Sequence, residues 1–102
     1  MINIITRPTL LKYIDKYPAS VIALQEWYYE FRSHSFENFN QLKQVYVNAS
    51  LVGDNRVIFN IKGNDFRLII KMNFAAQAAY IIWFGTHKEY DKIDVRTVNF
   101  RQ

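Results

Sequence analysis

The stretch R-V-I-F-N-I-K-G-N-D-F-R-L-I-I-K, residues Arg56 to Lys71, decides the fold. Two runs of strand-forming residues flank Gly63 and Asn64, a pair that suits a two-residue turn with positive φ. The stretch therefore predicts a β-hairpin in which Ile61 faces Phe66. The pairing continues residue by residue along the two strands as far as Arg56, which faces Lys71.

The register of this hairpin separates its side chains onto two faces, because successive residues of a strand point to opposite sides of the sheet. One face is entirely apolar and carries Val57, Phe59, Ile61, Phe66, Leu68 and Ile70. The other face carries Arg56, Ile58, Asn60, Lys62, Asp65, Arg67, Ile69 and Lys71. The hairpin therefore has a core side and a cationic side.

The rest of the chain predicts one helix-rich half before the hairpin and one further strand after it. The predicted elements are a strand over 1–6, helices over 8–16, 18–33 and 41–46, a loop over 47–55, a turn over 73–78, a strand over 80–84 and a helical turn over 87–91. The apolar stripe of the second helix consists of Leu24, Trp27, Tyr28 and Phe31, and Asn40 is expected to cap the third helix. The order predicts an α+β domain, with helices on one face of a small antiparallel sheet.

Length and composition predict one domain spanning residues 1–102, with a loose polar tail after about residue 95. The chain has no cysteine, no recognisable signal peptide and no apolar run long enough to span a bilayer, so we expect a cytoplasmic protein without membrane contact. Residues 56–102 carry eight Lys or Arg against four Asp or Glu, which accounts for the whole net charge of +4. This excess suits a polyanion such as nucleic acid, although an ordinary charged surface would look the same.

The segment G-T-H-K-E-Y-D, residues 85–91, holds the strongest candidates for chemistry. His87 can exchange protons near neutral pH, and Tyr90 would share a helical face with it. Together with Arg67 as a forked phosphate contact, these residues could cleave RNA by activating a ribose 2′-OH, with no metal ion or other cofactor. Each also has a structural interpretation: an arginine paired with an aspartate, a strand-end histidine and a packed tyrosine.

The cations around this segment are candidates for contacts with the RNA backbone. They are Arg56, Lys62, Lys71 and Lys88. Each of the lysines, taken alone, is more often a solvated surface residue than a functional one.

Two long segments, F-N-I-K-G-N-D-F-R-L-I-I at 59–70 and Y-I-I-W-F-G-T-H-K-E-Y-D-K-I-D at 80–94, resemble the HigB toxin family of bacterial type II toxin–antitoxin modules. The segments N-x-x-Q-L-K and V-G-D-N-R-V-I-F upstream are also similar, so the resemblance covers about residues 3–95. It implies a RelE-like fold of the microbial ribonuclease type. By position, Arg67, His87 and Tyr90 match the family's strand arginine and its C-terminal catalytic cluster.

The resemblance also implies an activity and partners. The family's members are mRNA interferases, endoribonucleases that typically cut mRNA on the translating ribosome. A HigA-type antitoxin would neutralise the toxin, and operator DNA would be reached only through that antitoxin. Two alternatives remain open: a non-catalytic inhibitor that binds RNA or the ribosome, and a ParE-like inhibitor of a protein target such as gyrase.

Overall fold

The computed structural model describes residues 1–5 and 14–98 as a five-stranded sheet with helices. The strands are β1 (Asn3–Ile5), β2 (Ser50–Val52), β3 (Arg56–Ile61), β4 (Phe66–Asn73) and β5 (Ala78–Thr86). Residues 14–16 are helical, and a short 3₁₀ helix (Pro18–Ser20) leads into α1 (Val21–Arg32). The remaining helices are α2 (Phe39–Val45) and the single turn α3 (His87–Tyr90). The predicted α+β class is confirmed.

The strand order is β1-β5-β4-β3-β2, and one of its pairings differs from the prediction. The β3–β4 and β4–β5 pairs are antiparallel, as expected, and β2, which lies in a region predicted as a loop, also pairs antiparallel with β3. However, β1 lies parallel to β5, so the sheet is mixed. A parallel neighbour requires a long crossover, which here is the whole chain between Ile5 and Ala78, and no local pattern in the sequence reports such a pairing.

The β3–β4 hairpin has the predicted register at every pair from Arg56 opposite Lys71 to Ile61 opposite Phe66. The turn itself differs in detail. Positive φ values occur at Lys62 and Gly63, at 54° and 61°, rather than at Gly63 and Asn64. A lysine adopts this backbone less readily than a glycine, and the Asp65 N–H closes the turn on the Lys62 carbonyl at 3.2 Å.

The helices cover the apolar face of the hairpin, as the sequence predicts. Leu24, Trp27 and Phe31 of α1 are buried in a core shared with Val57, Phe59, Leu68 and Ile70 of the sheet. The N-terminal cap of α2 is Asn38, whose side chain accepts the Gln41 N–H, rather than Asn40. The region predicted as a loop over 47–55 contains β2, a three-residue strand too short to show a period. The predicted helix over 8–16 lies outside the described residues as far as residue 13.

The second face of the sheet carries a smaller apolar cluster. Ile58, Ile69 and Trp83 form its buried part, and partly buried side chains from the C-terminal segment pack on it. A register shift opposite Ile69 and Ile70 leaves Ile82 without a partner on β4. This β-bulge lets Ile82 and Trp83 both contribute to the second face while Ile81 and Phe84 stay in the main core.

Candidate functional site

Arg67 and His87 are in direct contact at the end of the sheet where β5 leads into α3. Nη2 of Arg67 lies 2.9 Å from Nδ1 of His87. Arg67 lies on β4 directly opposite Gly85 of β5, two residues before the histidine. The hairpin register and the end of β5 therefore bring together two side chains that are 20 residues apart in the chain.

Gly85 makes room for this arrangement. A Cβ atom at Gly85 would lie 2.6 Å from Cη2 of Trp83 and 2.8 Å from Oε1 of Glu89. Carbon atoms do not approach that closely, so any side chain here would displace the indole ring or the carboxylate. The glycine is needed for space rather than for backbone freedom.

The guanidinium of Arg67 is held by the hairpin turn beside it. Its Nη1 donates to the backbone carbonyls of Asn64 and Phe66, each at 3.2 Å, and its Nη2 donates to Oδ1 of Asn64 at 2.9 Å. Arg67 is only 9% exposed. A buried cation with this many acceptors is fixed in one orientation, which a flexible surface arginine would not be.

The contact with Arg67 determines which nitrogen of His87 carries a proton. A guanidinium can only donate, so Nδ1 must accept, and the neutral ring then carries its proton on Nε2. Oδ2 of Asp91 lies 3.4 Å from Nε2, and the side chain of His87 is 44% exposed. The imidazole is therefore oriented from both sides while it stays open to solvent.

Tyr90 completes the cluster through its ring. The Arg67 guanidinium carbon lies 5.6 Å from the centre of the Tyr90 ring, which is a cation–π distance. The ring also packs against Trp83, with 6.4 Å between ring centres. The structure thus brings together the three residues that the sequence singled out, although the role of each remains a prediction.

The turn α3 is formed by a capping box. The Thr86 hydroxyl accepts the Glu89 N–H at 3.1 Å, and Oε1 of Glu89 accepts the Thr86 N–H at 2.9 Å. The backbone N–H of His87 donates to the Asp65 carbonyl at 3.0 Å, which ties the turn to the hairpin loop. Such contacts are necessary, because one helical turn is not stable in isolation.

Glu89, two residues after His87 in α3, has a carboxyl group with a shifted pKa. Burial raises its pKa, but hydrogen bonds from the Tyr17 hydroxyl and the Thr86 N–H, with the charge of Lys16, outweigh burial. The pKa of Glu89 therefore lies below its ordinary value of 4.5. The sequence analysis assigned no role in the site to Glu89, Tyr17, Asn64 or Asp91. The T-H-K-E spacing of a capping box could have pointed to Glu89, and the four-residue spacing from His87 could have pointed to Asp91.

The three lysines predicted to contact RNA are at the surface, and two of them form ion pairs. Nζ of Lys62 lies 3.9 Å from Asp65, and Nζ of Lys71 lies 2.9 Å from Asp54. Lys88 is exposed on α3 and forms no ion pair among the described residues. All three are exposed or partly exposed, and their contact with RNA stays a prediction.

Arg56 does not fit its predicted role as an RNA contact. It is only 8% exposed, and its Nη1 donates to the carbonyls of Val95 and Val98 at 3.1 and 2.5 Å. The tail was predicted to be loose after about residue 95, but as far as Val98 it packs on the second face of the sheet and covers this arginine. Residues 99–102 of that tail lie outside the described residues.

Residues 1–5 and 14–98 contain neither a cluster of metal-ligating side chains nor a membrane-spanning helix. No three His, Asp or Glu side chains there come together as they would around a metal ion. No helix in the same ranges is long and apolar enough to cross a bilayer.

Comparison with known proteins finds one family model and three similar proteins, and these agree with one another. A family model described as the HigB toxin, the RelE-like toxic component of a toxin–antitoxin system, matches residues 20–93. The mRNA interferase toxin HigB of Escherichia coli K12 is 30% identical over 91 residues, which cover 87% of this chain and 88% of that protein. The mRNA interferases HigB of E. coli O157:H7 and Shigella flexneri match to the same extent.

Proposed function

This chain belongs to the HigB toxin family, RelE-like toxic components of toxin–antitoxin systems, and we propose that it is an endoribonuclease that cleaves mRNA. The contact of 2.9 Å between Arg67 and His87 is the observation that carries this proposal. It places a group that can exchange protons beside a fixed cation, and cleavage of RNA through its own 2′-OH requires both. The similar proteins are named mRNA interferases, which supports mRNA as the substrate.

The proposed reaction begins when a phosphate of the RNA reaches Arg67. An anionic phosphate oxygen is a better acceptor for Nη2 of Arg67 than the neutral Nδ1 of His87, so the phosphate takes over that hydrogen bond. The freed Nδ1 then accepts the proton of the adjacent ribose 2′-OH. Asp91 beside Nε2 orients the ring and stabilises the imidazolium that forms, as a carboxylate does in other histidine-dependent enzymes.

The chain's own groups complete the reaction in this proposal. The 2′-oxygen attacks phosphorus while Arg67 stabilises the additional negative charge. The P–O5′ bond breaks, and the imidazolium returns its proton to the departing 5′-oxygen. The products are a 2′,3′-cyclic phosphate and a 5′-hydroxyl end. Tyr90, beside the guanidinium, orients the nucleotide, and Lys62, Lys71 and Lys88 contribute to binding the RNA backbone.

The test is induced expression in a bacterial host with primer extension on abundant messages. We expect discrete cuts with wild-type protein and their loss with His87→Ala, because removing a general acid–base group lowers the rate by roughly 10²–10⁴-fold. His34→Ala is the matched control, since His34 is the chain's other histidine and its ring packs on Phe36, away from the site.

The same experiment separates this proposal from its competitors. Growth arrest with intact messages would contradict the nuclease and favour an inhibitor that binds RNA or the ribosome. Arrest with DNA damage signals would favour a protein target such as gyrase. Cuts restricted to translated regions, in step with codons, would support a requirement for the ribosome.

Membership of a toxin family implies a cognate antitoxin. We propose that this partner is of the HigA type, that it reaches operator DNA on behalf of the complex, and that the toxin acts in the cytoplasm, where translating ribosomes present its substrate. Co-purification of the toxin with the product of a neighbouring reading frame would test the partner directly.

A further inference from the structure

The carboxylate of Glu89 connects the catalytic turn α3 to a tyrosine far away in the sequence. Its Oε1 accepts the Tyr17 hydroxyl as well as the Thr86 N–H, and its Oε2 lies 3.5 Å from Nζ of Lys16. Tyr17 and Glu89 are 72 residues apart in the chain. Two neighbouring side chains from the N-terminal part of the chain, Lys16 and Tyr17, therefore both reach this carboxylate of α3.

Tyr17 is itself held firmly. Its ring packs against Phe66 at 5.6 Å and Phe84 at 6.4 Å between ring centres, and both phenylalanines belong to the main core. Phe66 is the residue immediately before Arg67, and Phe84 precedes Gly85. The tyrosine hydroxyl is therefore a fixed point relative to the two strands that carry the site.

The turn α3 has little of its own to hold it in place. It is four residues long, too short to be stable without outside contacts, and none of its residues is fully buried. The Asp65 carbonyl holds its first backbone N–H, and Glu89 holds its opposite side. His87 is part of this turn, so a rotation of the turn would move its imidazole away from Arg67.

We propose that Tyr17 and Glu89 are positioning residues: Tyr17, acting through Glu89, fixes the orientation of α3 and so keeps Nδ1 of His87 on Arg67. This inference rests on the proposed nuclease function for its kinetic consequence but not for its structural one. Neither residue touches the imidazole. Their effect is on where the ring lies and on which of its nitrogens carries the proton.

Tyr17→Phe is the sharpest variant, because it keeps the ring that packs in the core and removes only the hydroxyl. Nitrogen-15 NMR of the histidine ring then reports the tautomer of His87. We expect the single Nε2–H tautomer in the wild type and a mixture of tautomers in Tyr17→Phe. Tyr29→Phe, at an exposed tyrosine of α1, is the matched control and should leave the His87 signals unchanged.

Cleavage of a model RNA by the same proteins gives the second readout. We expect kcat to fall on the order of 10–100-fold in Tyr17→Phe with KM nearly unchanged, since misplacing a reacting group by about 1 Å costs that much. Glu89→Ala should behave like Tyr17→Phe. Glu89→Gln should recover most of kcat, because its amide oxygen can still accept from Tyr17 and Thr86.

Two results would overturn the inference. The first is an unchanged His87 tautomer in both Tyr17→Phe and Glu89→Ala. The second is an unchanged kcat in both variants together with a lower unfolding temperature, because the two residues would then contribute to stability alone. If the wild type itself does not cleave RNA, the proposed function fails, and the NMR comparison alone decides whether Tyr17 and Glu89 position His87.

Discussion

Arg67 shows how a buried charge is stabilised by its surroundings in this protein. Burying a cation is costly unless its donors are satisfied, and here two carbonyl oxygens, one amide oxygen and one imidazole nitrogen accept from it. The acceptors come from both directions, the hairpin turn and α3. A lysine has a single nitrogen and could not bridge them, so the planar fork of arginine suits this position.

Glu89 gives a prediction of pH dependence at the scale of one residue. Its pKa in the folded protein lies below the ordinary 4.5, so its contribution to stability is complete above pH 4.5 and is lost as the pH falls through the folded pKa. In Glu89→Gln this contribution is absent at every pH. We therefore expect the difference in unfolding free energy between wild type and Glu89→Gln, measured by urea denaturation, to be largest near pH 7 and to shrink on acidification. A difference that grows on acidification would contradict the shift.

At the scale of elements, the C-terminal segment acts as a cover for one face of the sheet. The sequence suggested a cationic face on the hairpin, yet its centre is the apolar trio Ile58, Ile69 and Trp83. Residues from α3 to Val98 lie over that trio, and Arg56 binds the segment by its backbone carbonyls. The open cationic surface is therefore smaller than the strand alternation alone indicates.

Arg56→Met is predicted to loosen this cover. It keeps a long apolar stem but removes the donors to Val95 and Val98, which should cost about 1–3 kcal/mol of unfolding free energy. Faster hydrogen exchange over residues 91–98 and a change in Trp83 fluorescence would report the release. Lys71→Met is the matched control, because Lys71 is the cross-strand partner of Arg56 but forms its ion pair with Asp54 at the surface. Equal effects of the two substitutions would refute the assigned role of Arg56.

At the scale of the whole molecule, charge and fold are divided along the chain. The net charge of +4 comes entirely from residues 56–102, which also form β3, β4, β5 and α3. The preceding half is electrically balanced and supplies the helices that cover the core. The half of the chain that carries the candidate site is thus also the basic one, although two of its cations, Arg56 and Arg67, are buried. An excess of basic residues favours the approach of a polyanion.

Salt dependence tests which cations meet RNA. Each cation that neutralises a phosphate of single-stranded RNA contributes about 0.7 to the slope of log affinity against log salt concentration. We expect Lys88→Ala, at an exposed site, to lower that slope by roughly 0.7, and Arg56→Met to leave it unchanged. Binding assays at several salt concentrations measure both. A larger change for Arg56→Met than for Lys88→Ala would show that the buried arginine reaches RNA after all.

Local patterns in the sequence predicted the local parts of this structure. The hairpin register, the apolar stripe of α1 and the helical turn at His87 all depend on residues within a few positions of each other, where turn chemistry and periodicity act. The candidate residues Arg67, His87 and Tyr90 could be singled out because their side-chain chemistry is evident from their type. Their family resemblance added the expected reaction.

Local sequence patterns were thus sufficient to predict the hairpin, the core-facing residues and the chemical groups available for a site. The tertiary structure alone decided the parallel pairing of β1 with β5, the burial of Arg56 under the C-terminal segment, and the contact of Glu89 with Tyr17. Each of these joins residues more than 35 positions apart, and such contacts form only once the whole chain has collapsed around one core. Periodicity and turn signals carry no information on contacts between such distant segments.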